Sequence, residues 1–115
     1  MIWFAMALMF AQPTEAPEAP SDLQAMRSAA VSWQDCTIRE AEPMALKTAE
    51  LADTIVTAAM AFCWSEEKHT VLATEMYLET EHGTEGGAAG IMRSLKEAWR
   101  PTLIAAIIKM RAQEK

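Results

Sequence analysis

The chain has 115 residues, of which 51% are hydrophobic, and a formal net charge of −6 from 10 basic and 16 acidic side chains. That length allows one domain and not two, and the acidic balance argues against a nucleic-acid partner, which would demand a basic surface. The charge is unevenly spread: residues 1–47 carry 3 basic and 6 acidic side chains, 48–85 carry 1 and 8, and 86–115 carry 6 and 2. An acidic middle can therefore face a basic last third within one bundle.

The opening, MIWFAMALMFAQPTEAPEAP, joins an apolar run from Ile2 to Ala11 to an aperiodic Pro/Glu/Ala stretch. It reads as a secretory leader over residues 1–16, cleaved after Ala16 or Ala11, with a spacer over 17–20 ahead of a domain at 21–115. The first basic residue is Arg27, so the usual basic start of a leader is missing, and a buried or amphipathic N-terminal helix is the competing reading. A membrane span would need ~20 apolar residues, about twice this run.

A first helix is predicted from Ser21, where Ser21 and Gln24 form a capping-box pattern after Pro20. Leu23, Met26, Ala30, Trp33 and Thr37 recur at spacings of three and four, with Cys36 on the flank of that stripe. Pro43 is expected to end or kink it, because proline has no amide donor and its ring crowds the preceding turn. A turn is expected within 43–48. A second helix is then predicted from Thr48 as N-cap to His82, before Gly83, with a break near Ser65 or Thr70. On it Leu51, Ile55, Ala59, Phe62, Glu66, His69, Leu72 and Met76 trace one face, and Val56, Met60, Cys63 and Trp64 widen its apolar side. Residues 83–90 hold all 4 glycines and read as a flexible link. A third helix carries Met92, Leu95, Trp99, Leu103, Ala106, Ile107 and Met110 at helical spacing, kinked or split at Pro101. The predicted fold is all-α, a small antiparallel three-helix bundle.

Cys36 and Cys63 are the only two cysteines. About 11 residues separate Cys36 from a turn at 46–48 and about 16 separate that turn from Cys63. At ~1.5 Å per residue the mismatch is several ångströms, which a kink at Pro43 or a longer connection absorbs. A disulfide is allowed, and it belongs with export. The alternative is two buried thiols in a cytosolic protein. The pair is too far apart for a redox CxxC motif, and two cysteines alone make a poor zinc site, so no metal is expected.

Glu66-x-x-His69 and Glu79-x-x-His82 match the spacing used by four-helix di-metal proteins. Both lie on one predicted helix, though, 13 residues apart, and roughly 20 Å of helix keeps them from sharing an ion. Glu75, Glu79 and His82 read as an ordinary solvated face. The 9 methionines suggest copper handling, but beyond the leader they are scattered, without a Met-x-x-Met pair, and core packing accounts for them. The Gly-rich link lacks the Gly-Lys-Ser/Thr ending of a phosphate loop, and no Gly-x-Ser-x-Gly frames a nucleophile. A catalytic role and a cofactor are not expected.

The last helix offers the most suggestive surface. Arg93, Lys96 and Arg100 form a basic stripe beside Trp99, Leu103, Ile104, Ile107 and Ile108. Such a helix can lie on an anionic membrane through residues 91–111. The favoured reading is that its apolar face closes the bundle while its basic face pairs with the acidic second helix.

Trp33-x-x-Cys36, the run Asp53-Thr-Ile-Val-Thr-Ala-Ala-Met-Ala-Phe-Cys63 and the acidic residues directly after the second cysteine give the chain a likeness that covers about residues 30–112. In these features it resembles a group of small exported two-cysteine helical proteins of alphaproteobacteria, which has no established activity to carry over. The resemblance implies a periplasmic or secreted location and a Cys36–Cys63 bridge; Pro43 and the Gly-rich link depart from the pattern. The expectation is a non-catalytic interaction or structural module that engages a protein partner or a second copy of itself, with membrane binding as the alternative.

Overall fold

A computed structural model describes residues 21–81 and 87–114; the predicted leader and spacer, His82 and residues 83–86 lie outside them. The described residues form four helices: α1 (Ser21–Lys47), α2 (Ala52–Phe62), α3 (Trp64–Glu81) and α4 (Gly87–Glu114). The all-α expectation holds. The expected three helices become four because Cys63 alone, with φ −99° and ψ 29°, interrupts the second. That break falls earlier than Ser65 or Thr70. It is slight: the Cys63 N–H still donates to the Ala59 carbonyl at 3.1 Å and to that of Met60 at 3.2 Å, and the Glu67 N–H donates to the Cys63 carbonyl at 3.0 Å.

The two helix-interior prolines do not end their helices. α1 runs four residues past Pro43, and α4 continues through Pro101 to Glu114, so the last helix is not split. Each proline is exposed, and the carbonyl it strands four residues back belongs to an exposed residue, Arg39 or Glu97. Water can take the missing bond. Buried Ala45 on one helix and buried Leu103 and Ile107 on the other then hold the turns beyond the proline.

Thr48 is not an N-cap but closes the end of α1, its hydroxyl donating to the Met44 carbonyl at 2.7 Å. The N-cap of α2 is Leu51, which offers no side-chain cap. The glycine link is also shorter than predicted, since Gly87 and Gly90 lie in the first turn of α4. Burial of Ala88 and Met92 offsets the ~1 kcal/mol that each helical glycine costs.

Contacts across the bundle fix its directions. Thr70 on α3 reaches the Ala29 carbonyl of α1, and Cys63 meets Cys36. Both pairs are centred on the same point, between Ala49 and Glu50, which is the middle of the 48–51 connection. The chain beyond α1 therefore returns antiparallel to it, and from Cys63 to Thr70 it keeps one register. Trp99 reaches Thr37 and Arg111 reaches Ala45, so α4 runs in the direction of α1.

The core contains Trp33, Ala41 and Ala45 of α1, Ile55, Val56, Ala59 and Met60 of α2, the two cysteines, and Met92, Leu103 and Ile107 of α4. The stripes predicted for the first and last helices face inward as expected. The second stripe fails at its first residue and again in its later half. Leu51, Phe62, Trp64, Leu72 and Met76 are 72%, 65%, 64%, 47% and 57% exposed, while Thr70 and Thr74 are buried. The register of α3 is set by the sulfur link at Cys63, and residues seven and eleven further along must then point inward. Threonine tolerates this because its hydroxyl bonds back to its own helix: Thr70 donates to the Glu66 carbonyl at 2.9 Å and Thr74 to that of Thr70 at 2.7 Å. Of the methionines, Met60 and Met92 are core residues and Met26, Met44 and Met110 are half-buried.

Candidate functional site

The expected bridge is present. Cys36 and Cys63 form a disulfide between α1 and the α2/α3 break, with their Cα atoms 6.0 Å apart. The helices place it where the sequence spacing left several ångströms to be absorbed. α1 extends to Lys47 and α2 starts at Ala52, so the two sulfurs become equidistant from the turn. Both cysteines are buried.

Glu66 is a neighbour of the sulfurs that the sequence pattern does not by itself connect to them. One of its carboxylate oxygens and the two Sγ atoms lie within 4.8 Å of one another. The cause is local: Cys63 and Glu66 are three apart, hence on one helix face, and that spacing was available as a signal. Glu66 and His69 also line a cleft of 380 Å³ between α1 and α3, whose other wall is Ala25, Ser28, Ala29 and Ser32. The next carboxylate behaves differently, Glu67 accepting an ion-paired hydrogen bond from Lys96 Nζ at 3.1 Å.

The predicted basic surface of α4 is largely engaged within the chain. Lys96 holds Glu67 of α3. Arg100 grips the start of α2: its Nη2 is 2.8 Å from Asp53 Oδ1 and donates to Thr57 Oγ1 at 2.7 Å, while its Nε donates to the same Asp53 oxygen at 3.0 Å. Trp99 turns inward, its Nε1 donating to Thr37 Oγ1 at 2.9 Å; the Thr37 hydroxyl donates onward to the Gln34 carbonyl at 2.7 Å. Arg93 is exposed and, with Glu67 and Lys96, lines a shallow cleft of 240 Å³.

Arg111, beyond the predicted basic stripe, caps another helix. Its Nε donates to the Ala45 carbonyl at 2.9 Å and its Nη2 to that of Thr48 at 3.0 Å. These carbonyls close α1, where a helix has orphan acceptors and the negative end of its dipole, and a cation there is favourable.

Two aromatic side chains flank the disulfide-bonded break, Phe62 before Cys63 and Trp64 after it, each about two-thirds exposed. Trp64 lines a surface cleft of 320 Å³ with Met60, Ala61, Thr57, Glu67, Lys96 and Arg100. Among the described residues no helix is long and apolar enough to cross a membrane. Comparison with known protein families, with curated proteins and with solved structures finds no match for this chain.

Proposed function

We propose that this chain is an exported, non-catalytic helical module that works by binding a protein, either another chain or a second copy of itself. The observation that carries the reading is the pair Phe62 and Trp64. Large aromatics left in water suit an interface anchor, and the disulfide beside them pins the backbone that carries them, so that less of it must be ordered on binding. The buried disulfide supports the periplasm or the extracellular space, and with it the likeness to the exported two-cysteine proteins of alphaproteobacteria. α2 and α3 are best regarded as one broken arm of a three-arm bundle, with the break serving to present the aromatics.

Site-specific photo-crosslinking in the expressing cell tests this. A crosslinker at position 62 should trap a defined protein adduct, whereas one at exposed Lys68 should not. Equal, diffuse labelling at both positions would refute it. The second reading is peripheral binding to an anionic membrane through residues 91–111. It is supported by exposed Arg93 and Ile108, and weakened by the internal bonds of Lys96, Trp99 and Arg100. Co-sedimentation with vesicles containing anionic lipid would support it; absence of sedimentation removes it.

A further inference from the structure

We propose that Cys36, Cys63 and Glu66 become a site for a thiophilic divalent cation of the zinc class when the disulfide is reduced, so that one locus holds either a covalent bridge or a metal. Three ligand atoms of suitable type already lie within 4.8 Å of one another. Zinc takes sulfur at ~2.3 Å and carboxylate oxygen at ~2.0–2.2 Å in a tetrahedral arrangement, which sets its ligands about 3.6–3.8 Å apart. Two sulfurs released from a bond must separate to a similar, non-bonded distance. Opening the bridge thus moves them toward the spacing a metal needs, between α1 and the α2/α3 break, where the two Cα atoms are only 6.0 Å apart.

The chemistry balances with a dithiol as reductant. It delivers two electrons and two protons and closes its own disulfide, while the Cys36–Cys63 bond breaks and each sulfur takes a proton. The cation then displaces both protons to solvent and binds two thiolates and the carboxylate. Two buried thiolates would be costly without a cation, and the metal removes that cost.

Glu66 is suited to the part. Among the described residues its carboxylate has no hydrogen-bond or ion-pair partner, whereas neighbouring Glu67 is held by Lys96. It also forms part of the wall of the 380 Å³ cleft, so the carboxylate is the ligand that an ion would meet from that side. The same core contains a further unused group: the indole N–H of Trp33, one turn before Cys36, is buried without an acceptor among the described residues.

The test is cobalt titration of the full chain, reduced with a phosphine under anaerobic conditions. One equivalent should raise a saturable thiolate-to-cobalt band in the near ultraviolet together with the visible bands of tetrahedral cobalt. The oxidised chain should show neither. Glu66→Gln, which keeps both cysteines, should weaken cobalt binding at least ~10-fold. No saturable band in the reduced chain, an equal band in the oxidised chain, or unchanged affinity in Glu66→Gln would each overturn the proposal. Should reduction unfold the chain, helical circular dichroism must return with cobalt, since such a site binds only when folded; its failure to return would overturn the proposal as well.

Discussion

Breaking the sulfur bridge is the perturbation whose size the fold specifies best. The link joins positions separated by 27 residues, and closing a loop of that length removes roughly 12 cal/mol/K from the unfolded chain, or about 3.5 kcal/mol at room temperature. An unfolding entropy of ~2.1 cal/mol/K per residue over a helical unit of ~90 residues gives roughly 0.19 kcal/mol/K, so the melting temperature should fall by about 18 °C. Reduction is a cleaner perturbation than substitution, because both sulfurs stay in the core. Thermal and urea melts followed by circular dichroism, with and without phosphine, measure the change. The urea slope should also rise on reduction, since an unlinked chain exposes more surface when it unfolds. A drop of less than about 5 °C with an unchanged slope would refute the reasoning; it would mean that the unfolded chain is already held closed around its turn.

Three other outcomes follow from the hydrogen bonds. A double-mutant cycle of Thr37→Val with Trp99→Phe should return a coupling of ~0.5–1.5 kcal/mol in urea unfolding, because Thr37→Val strands the Trp99 indole N–H and the double change removes that stranded donor. Thr70→Val should cost about 1 kcal/mol more than Thr74→Val. The one Thr70 hydroxyl proton is shared between the Ala29 carbonyl across the bundle and the Glu66 carbonyl of its own helix, while among the described residues that of Thr74 serves only its own helix. Arg111→Met should lose ~1.5–3 kcal/mol, the range for bonds to a charged donor, and should speed amide exchange at residues 48–51 more than at the Ala29–Thr70 end of the bundle.

The helical pattern was legible wherever burial and hydrophobicity coincide. Trp33, Cys36 and Thr37 on α1, and Met92, Leu103 and Ile107 on α4, sit on the faces that their three-and-four spacing assigns. On α3 the two diverge. A covalent tie at Cys63 turns Thr70 and Thr74 inward and leaves Leu72 and Met76 outside, an outcome that no hydrophobic periodicity could announce. The prolines end neither helix for a related reason. Their cost depends on whether the stranded carbonyl reaches water, and exposure of that kind is a tertiary property. Around the cysteines, the pair was recognisable from chain position, but Glu66 was read with His69 as half of a metal motif, when its closer relation is to Cys63 three residues before it. The basic stripe of α4 was recognised as a group, while the individual partners, Asp53 for Arg100 and Glu67 for Lys96, depend on the relative rotation of whole helices.

The arginine clamp on the end of α1 also sets an order of events. Arg111 follows the carbonyls it binds by 63 to 66 residues, which at ~5–20 residues per second of synthesis is a delay of about 3 to 13 s. Cys63 follows Cys36 by only 27, or about 1 to 5 s at the same pace. On a growing polypeptide the sulfur pair is complete first, and the hairpin of the first two arms is sealed at its tip only when the basic helix arrives.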